Sequence, residues 1–225
     1  MTAPLLVAAA YFIGAFPTSY LVARAARGID LRQHGIGNLG ATNAFRVLDW
    51  RAAAPIFIID IAKGFLPVFL FPRVDGTGLL AWTLAYGAAA IIGHGFSIYV
   101  GFRGGKGVAT GAGVFLALAP AAVLIDLVIW AVLVYATGYV SLGSVVAAAL
   151  LPILVALTGA ALPVLALSMA RALFVVVAHR ANIRRLRHGG EHRFGRGRTA
   201  AGPDAETAAG AGSTAGIAED GGQRD

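Results

Sequence analysis

Long apolar runs separated by short polar segments account for most of the chain. The first covers residues 3–23, with no charge before it and Arg24, Arg27 and Arg32 after it. The next two cover 52–72 and 78–100, divided by Pro72-Arg-Val-Asp-Gly-Thr-Gly78, which has a turn composition. Residues 108–136 form either one long tilted helix or two segments hinged near Pro120, and runs at 141–157 and 161–178 close the series. A membrane helix needs about 20 apolar residues, so this pattern predicts an all-α integral membrane protein.

Charge decides how many crossings there are. Cytoplasmic loops collect Lys and Arg, so the arginines after the first run put its C-terminal end inside. Two spans within 108–136, rather than one, also bring His179, Arg180, Arg184, Arg185 and Arg187 to that side. The expectation is seven transmembrane helices, N-terminus outside and C-terminus cytoplasmic, the two halves of 108–136 being shorter than the usual ~20 residues. The first run has bases after it rather than before it, which reads as a retained anchor and not a cleaved signal. Segments 24–51, 101–107, 137–141 and 179–198 then share the cytoplasmic face.

Composition agrees: 58% of residues are hydrophobic, 13% are charged, and the mean hydropathy is +0.75. Cysteine is absent, excluding disulfides, thiolate metal sites and a cysteine nucleophile. The five histidines lack metal-ligand spacing, so no metal is expected. Of the net charge of +7, residues 199–225 contribute five acids and one base, leaving +11 on the rest. Those bases abut apolar runs rather than forming a solvated basic face, which argues against nucleic acid. Residues 1–190 are expected to form the membrane domain and residues 191–225 a disordered cytoplasmic tail.

The polar loops carry the chemistry. Gly101-Phe-Arg-Gly-Gly-Lys-Gly-Val108 sets Lys106 and Arg103 among four glycines, a composition suited to an anion. It is not a Walker A loop, because Val100 stands where the first glycine belongs and Gly107 follows the lysine. A second such loop, Gly35-Ile-Gly-Asn-Leu-Gly-Ala-Thr-Asn43, ends near Arg46, whose planar fork suits two phosphate oxygens. Two loops suggest two phosphates. Thr42 and Arg46 are four apart, and His179 and Asn182 three apart, so each pair shares a helix face. His179 has an ordinary pKa suited to proton transfer near neutrality. Within the runs, Asp60 and Lys63 are spaced to pair, and Asp126 and Arg171 are expected to pair between helices.

Taken together, these residues resemble the bacterial acyl-phosphate:glycerol-3-phosphate acyltransferase family. The likeness runs through Gly14-Ala-Phe-Pro-Thr-Ser-Tyr20, the segment from Gly37 to Arg46, Asp60-Ile-Ala-Lys63-Gly64, Gly93-His94, Arg103 to Thr110, Tyr139-Val-Ser141-Leu142 and His179-Arg-Ala-Asn182-Ile183. It implies a seven-span enzyme of the bacterial inner membrane with its active site facing the cytoplasm. Such an enzyme moves an acyl group from acyl phosphate to the 1-hydroxyl of glycerol 3-phosphate, without cofactor, metal, coenzyme A or acyl carrier protein. By the same resemblance, Arg46, Lys106 and its neighbours Gly104, Gly105 and Gly107 hold glycerol 3-phosphate, assisted by Ser141 and Asn182. Gly37, Asn38, Gly40, Thr42, Asn43 and His179 hold the acyl phosphate, Thr110 adds to the substrate site, and the acyl chain lies among the helices in contact with membrane lipid. Two positions depart from the family pattern: Ile36 replaces the serine of Gly-Ser-Gly-Asn, and Ala181 replaces a glutamate common in the last motif. A transporter of a phosphorylated amphiphile and an inactive family member are the alternatives.

Overall fold

The structure, a computed structural model, describes residues 2–193. Most of the tail expected at 191–225 therefore lies outside the described residues. Among those described, ten α-helices and two short 3-10 turns are the only regular elements. The all-α expectation holds.

The first apolar run is not one helix but two, α1 (Thr2–Ala15) and α2 (Thr18–Arg27). Pro17 has no N–H and cannot continue the ladder, and at the break the carbonyls of Ala15 and Phe16 accept side-chain donors from other segments. Ser97 Oγ donates to Ala15 O at 2.5 Å, and Lys63 Nζ donates to Phe16 O at 2.5 Å. Lys63 also meets Asp60 at 2.7 Å, the pairing their spacing predicted. A short helix, α3 (Ala41–Val47), precedes α4 (Trp50–Asp75), whose N-terminus is capped by Asp49 bonding the Ala52 amide at 3.0 Å. α5 (Leu80–Gly95) leads into the lysine loop. Residues 108–136 do divide near Pro120, into α6 (Val108–Leu118) and α7 (Pro120–Thr137), with Ala119 at the break. α8 (Val140–Leu157), α9 (Leu162–Ala178) and α10 (Arg180–Arg187) follow.

Among the described residues, five segments are long and apolar enough to cross a membrane, or six if α9 and α10, bent by 57° at their junction, count as one. α6, with 11 residues, is shorter. Large apolar side chains face outward along these helices, Ile58, Val128, Val132 and Leu173 among them, as lipid contact requires.

Lipid tails are as apolar as leucine, so helices in a bilayer associate by close packing over small residues. Two reciprocal glycine contacts do this here. Gly14 of α1 lies against the Ala90 backbone of α5, and Gly93 of α5 against the Tyr11 backbone of α1. Likewise Gly64 of α4 meets the Thr110 backbone of α6, and Gly113 of α6 meets the Ile61 backbone. A Cβ at any of the four would collide with main-chain atoms. The broken first run and the half-length α6 are thereby locked to the two helices that border the polar loops.

Candidate active site

The lysine loop owes its glycines to packing. The amides of Gly104 and Gly105 donate to Gly95 O at 3.1 Å and His94 O at 3.0 Å, folding the loop back on the end of α5. A Cβ on Gly104 would strike His94 O, and one on Gly105 would strike the His94 ring. Those two N–H groups are spent, so they do not form the anion cradle that the composition suggested. The loop instead aims Lys106. Gly107 caps α6 at φ +72°, a conformation that side-chain-bearing residues rarely adopt, and the chain turns there so that Lys106 Nζ donates to Asn182 Oδ1.

Asn43 organises the first loop from its centre. Fully buried, it offers Nδ2 to the carbonyls of Leu31, His34 and Asn38 at 3.2, 3.0 and 2.9 Å, and its Oδ1 accepts the Ile36 amide at 2.9 Å. The loop so held presents Ile36, Asn38, Thr42 and Arg46 to a single cavity. Arg46 Nη2 lies 3.5 Å from a carboxylate oxygen of Glu191, and its Nη1 is buried without a partner.

The third contribution comes from the junction of α9 and α10. His179 Nδ1 donates to Val175 O at 2.8 Å, which leaves the Nε2 lone pair free. Burial, then the Lys106 charge, pushes this imidazole down to about 4, so it is neutral at pH 7. Glu191 accepts from Ser141 Oγ at 3.0 Å and Asn182 Nδ2 at 2.9 Å on one oxygen, and from Arg185 Nε at 2.7 Å on the other. Burial pushes its carboxyl up, but the bonds from Asn182, Arg185 and Ser141 outweigh this and hold it below its ordinary value. Burial also pushes the Lys106 ammonium down to about 8, against the pull of Glu191. The sequence reading missed Glu191 and assigned it to the tail. The available signal was a lone acid just after Gly189-Gly190 and a helix rich in arginine.

These pieces line a cavity of about 200 Å³, several times the ~30 Å³ share of one water. One part is polar, with Asn38, Thr42, Arg46, Lys106, Gly107, Ser141, His179 and Asn182. The other is mainly apolar, with Phe57, Ile61, Leu116, Val123, Leu127 and Trp130 from α4, α6 and α7. Gly37, Gly40, Asn43, Gly104, Gly105 and Thr110 do not line it. Gly40 caps α3, Thr110 lies on the face of α6 that meets Gly64, and Arg103 is exposed. The ion pair expected between Asp126 and Arg171 does not form, since no contact within 4.0 Å joins them among the described residues. Arg171 instead lies across Gly111 and donates from Nη2 to Val108 O at 3.2 Å. Behind the loops, Asp60, Lys63 and His94 border a small second pocket with Gly104 and Gly105, His94 Nδ1 lying 4.0 Å from Asp60.

Arginine, lysine, two amides, two hydroxyls and a neutral histidine at one end of a cavity whose remaining lining is mainly apolar form a site for an anionic amphiphile, and similar proteins agree. A family model described as glycerol-3-phosphate acyltransferase matches residues 4–189. The chain is 43% identical over 190 residues to a glycerol-3-phosphate acyltransferase of Geobacter sulfurreducens, covering 84% of this chain and 96% of that one. It is 42% identical over 186 residues to one of Fusobacterium nucleatum, covering 82% and 94%. Among solved structures, the fold is similar to crystal structures of PlsY, an integral membrane glycerol 3-phosphate acyltransferase. The glycerol 3-phosphate form gives a TM-score of 0.82 at 34% identity, and the lysophosphatidic acid form gives 0.79 at 33%, each covering 87% of this chain and 96% of that chain. With the match spanning nearly all the described residues, this multi-pass membrane protein belongs to the glycerol-3-phosphate acyltransferase family.

Proposed function

We propose that this chain transfers an acyl group from an acyl phosphate to the 1-hydroxyl of glycerol 3-phosphate, giving lysophosphatidic acid and inorganic phosphate at the cytoplasmic face of a bacterial inner membrane. The observation that carries this reading is the two-part cavity, in which cationic and polar side chains from three separate segments meet a mainly apolar recess. Related proteins named for this activity support the acceptor and the product. Counting α6 as a half-length crossing gives seven spans. The charge arrangement then puts all three polar segments on the cytoplasmic side.

Lys106 and Arg46 hold the phosphate of glycerol 3-phosphate, Lys106 as a point charge and Arg46 through the Nη1 that has no protein partner. Asn182 orients Lys106, and Glu191 fixes Asn182 and Ser141. The acyl chain occupies the apolar recess, which brings its carbonyl to the polar end. The hydroxyl oxygen then attacks the acyl carbonyl carbon and the carbon–oxygen bond to phosphate breaks. The hydroxyl proton goes to a substrate phosphate, whose second pKa lies near 6; His179, lowered to about 4 rather than suited to proton transfer near neutrality as its ordinary value suggested, is the weaker base and accepts a hydrogen bond at Nε2. Because the donor is already activated, no covalent enzyme intermediate is required. The cationic groups stabilise the charge that develops on the carbonyl and on the leaving phosphate.

The test is release of inorganic phosphate by purified protein given palmitoyl phosphate, with and without glycerol 3-phosphate, and identification of the lipid product. Release that requires glycerol 3-phosphate and yields lysophosphatidic acid is expected. Release that ignores the acceptor, or none from folded protein, would sink the reading.

A further inference from the structure

Two ionisable side chains in the cavity have no part in the transfer described above. Arg171 on α9 is 4% exposed and Asp126 on α7 is 8% exposed, and both line the cavity beside Leu116, Val123, Leu127 and Trp130. Arg171 spends one nitrogen on Val108 O, and its Nε and Nη1 have no hydrogen-bond partner. Asp126 Oδ1 has none either. No contact within 4.0 Å joins them among the described residues although both border the cavity, so a gap remains between the two heads. Asp126 precedes Thr137 by eleven residues and Arg171 precedes His179 by eight. At 1.5 Å per residue, their Cα atoms lie about 12 to 16 Å below the polar end, and the Arg171 side chain reaches back to the first turn of α6 at Val108.

Charged groups buried in this way are costly unless something satisfies them. A plain alkyl chain in this recess would shut out water and offer them nothing. A carboxylate in the gap would be repelled by Asp126, and an ammonium by Arg171. The group that suits both neighbours must accept from the guanidinium and donate to the carboxylate, and a hydroxyl does both at one atom. We propose that Arg171 and Asp126 form a subsite for a hydroxyl carried on the acyl chain of the donor, so that this protein uses hydroxylated acyl groups. The inference rests on the acyl-transfer reading of the same cavity.

The experiment measures kcat/KM for hexadecanoyl phosphate and for a set of monohydroxyhexadecanoyl phosphates, the hydroxyl being moved carbon by carbon along the chain. At one position or a short run of positions the hydroxylated donor is expected to match or exceed the plain one, with poorer use elsewhere. In Asp126→Asn, Asp126→Leu and Arg171→Met the ratio of hydroxylated to plain donor at that position should fall about tenfold, as for one lost bond to a charged group. The positional profile of the unaltered protein stands even if a variant fails to fold. Poorer use of the hydroxylated donor at every position would overturn the proposal and leave the pair bridged by water only. An equal fall for both donors in the variants would overturn it as well, by making the pair part of the general machinery. Turnover of the plain donor without any hydroxyl preference defeats this inference alone, whereas no turnover of any donor defeats the acyl-transfer reading with it.

Discussion

Removing the charge of Lys106 is the most direct perturbation of the site, and pH does it without changing an atom of the fold. The ammonium, ordinarily at 10.5, is pushed down to about 8 by burial. At pH 7 roughly nine in ten copies are still charged, and at pH 9 roughly one in ten. The second ionisation of a phosphate monoester lies near 6, so both partners are ready between about pH 6 and 8. If the ammonium holds the phosphate, kcat/KM should be level over that window and fall about tenfold per pH unit above 8. Bound phosphate favours the charged lysine, so the fall in kcat should come at higher pH than the fall in kcat/KM. Lys106→Met removes a bond to a charged group, about 1.5 to 3 kcal/mol, or roughly 10- to 150-fold in kcat/KM.

Stability should move the other way. A lysine whose folded pKa is lowered opposes folding at neutral pH, and the opposition fades as pH rises from about 8 towards 10.5. The cost at pH 7 is up to about 3 kcal/mol. Lys106→Met should therefore melt no lower than the parent, and higher to the extent that Asn182 and Glu191 tolerate the loss. Phosphate release at varied glycerol 3-phosphate from pH 6 to 10, together with thermal melts, measures both. A kcat/KM that is flat to pH 9.5, or a Met variant with parental activity, would refute the assignment of Lys106.

Three further outcomes are expected. Ile36→Ser restores a hydroxyl at a cavity-lining position; if it bonds a phosphate it should raise kcat/KM about tenfold or more, and unchanged kinetics would mean that the position does not touch substrate. Asn43→Ala strips the partners of four backbone groups in a buried loop and should destabilise the protein by roughly 2 to 4 kcal/mol, measured by thermal unfolding in detergent at fixed lipid. Glu191→Ala frees Ser141, Asn182 and Arg185 and should raise KM for glycerol 3-phosphate several-fold, with a smaller change in KM for the acyl donor; an equal rise for both would show that Glu191 does not act through the acceptor site.

Much of this protein is legible along the chain because it depends on local spacing. Apolar runs of span length, the division near Pro120, the pairing of Asp60 with Lys63 and the shared face of Thr42 and Arg46 all follow from helical periodicity and from what proline and charge permit in a bilayer. That Lys106, Arg46, His179 and Asn182 would gather could also be anticipated, since each is a polar group next to the end of an apolar run, and all four line one cavity. What spacing cannot give is which groups stand opposite one another after folding. The Gly104 and Gly105 amides could face a ligand or the end of α5, and the nearness of His94 O and Gly95 O decides for α5. Asn43 could bind substrate or hold its own loop, and the carbonyls gathered around it decide for the loop. Asp126 and Arg171 could have paired, but the space left by Gly111 draws the guanidinium to Val108 instead. Glu191 enters the site only because the bend at His179 turns the basic helix back over it. Sequence determined the elements and the reactive groups, through interactions among neighbours a few residues apart. Tertiary structure alone decided their partners, because a hydrogen bond or an ion pair depends on distances of 3 to 4 Å between segments far apart in the chain.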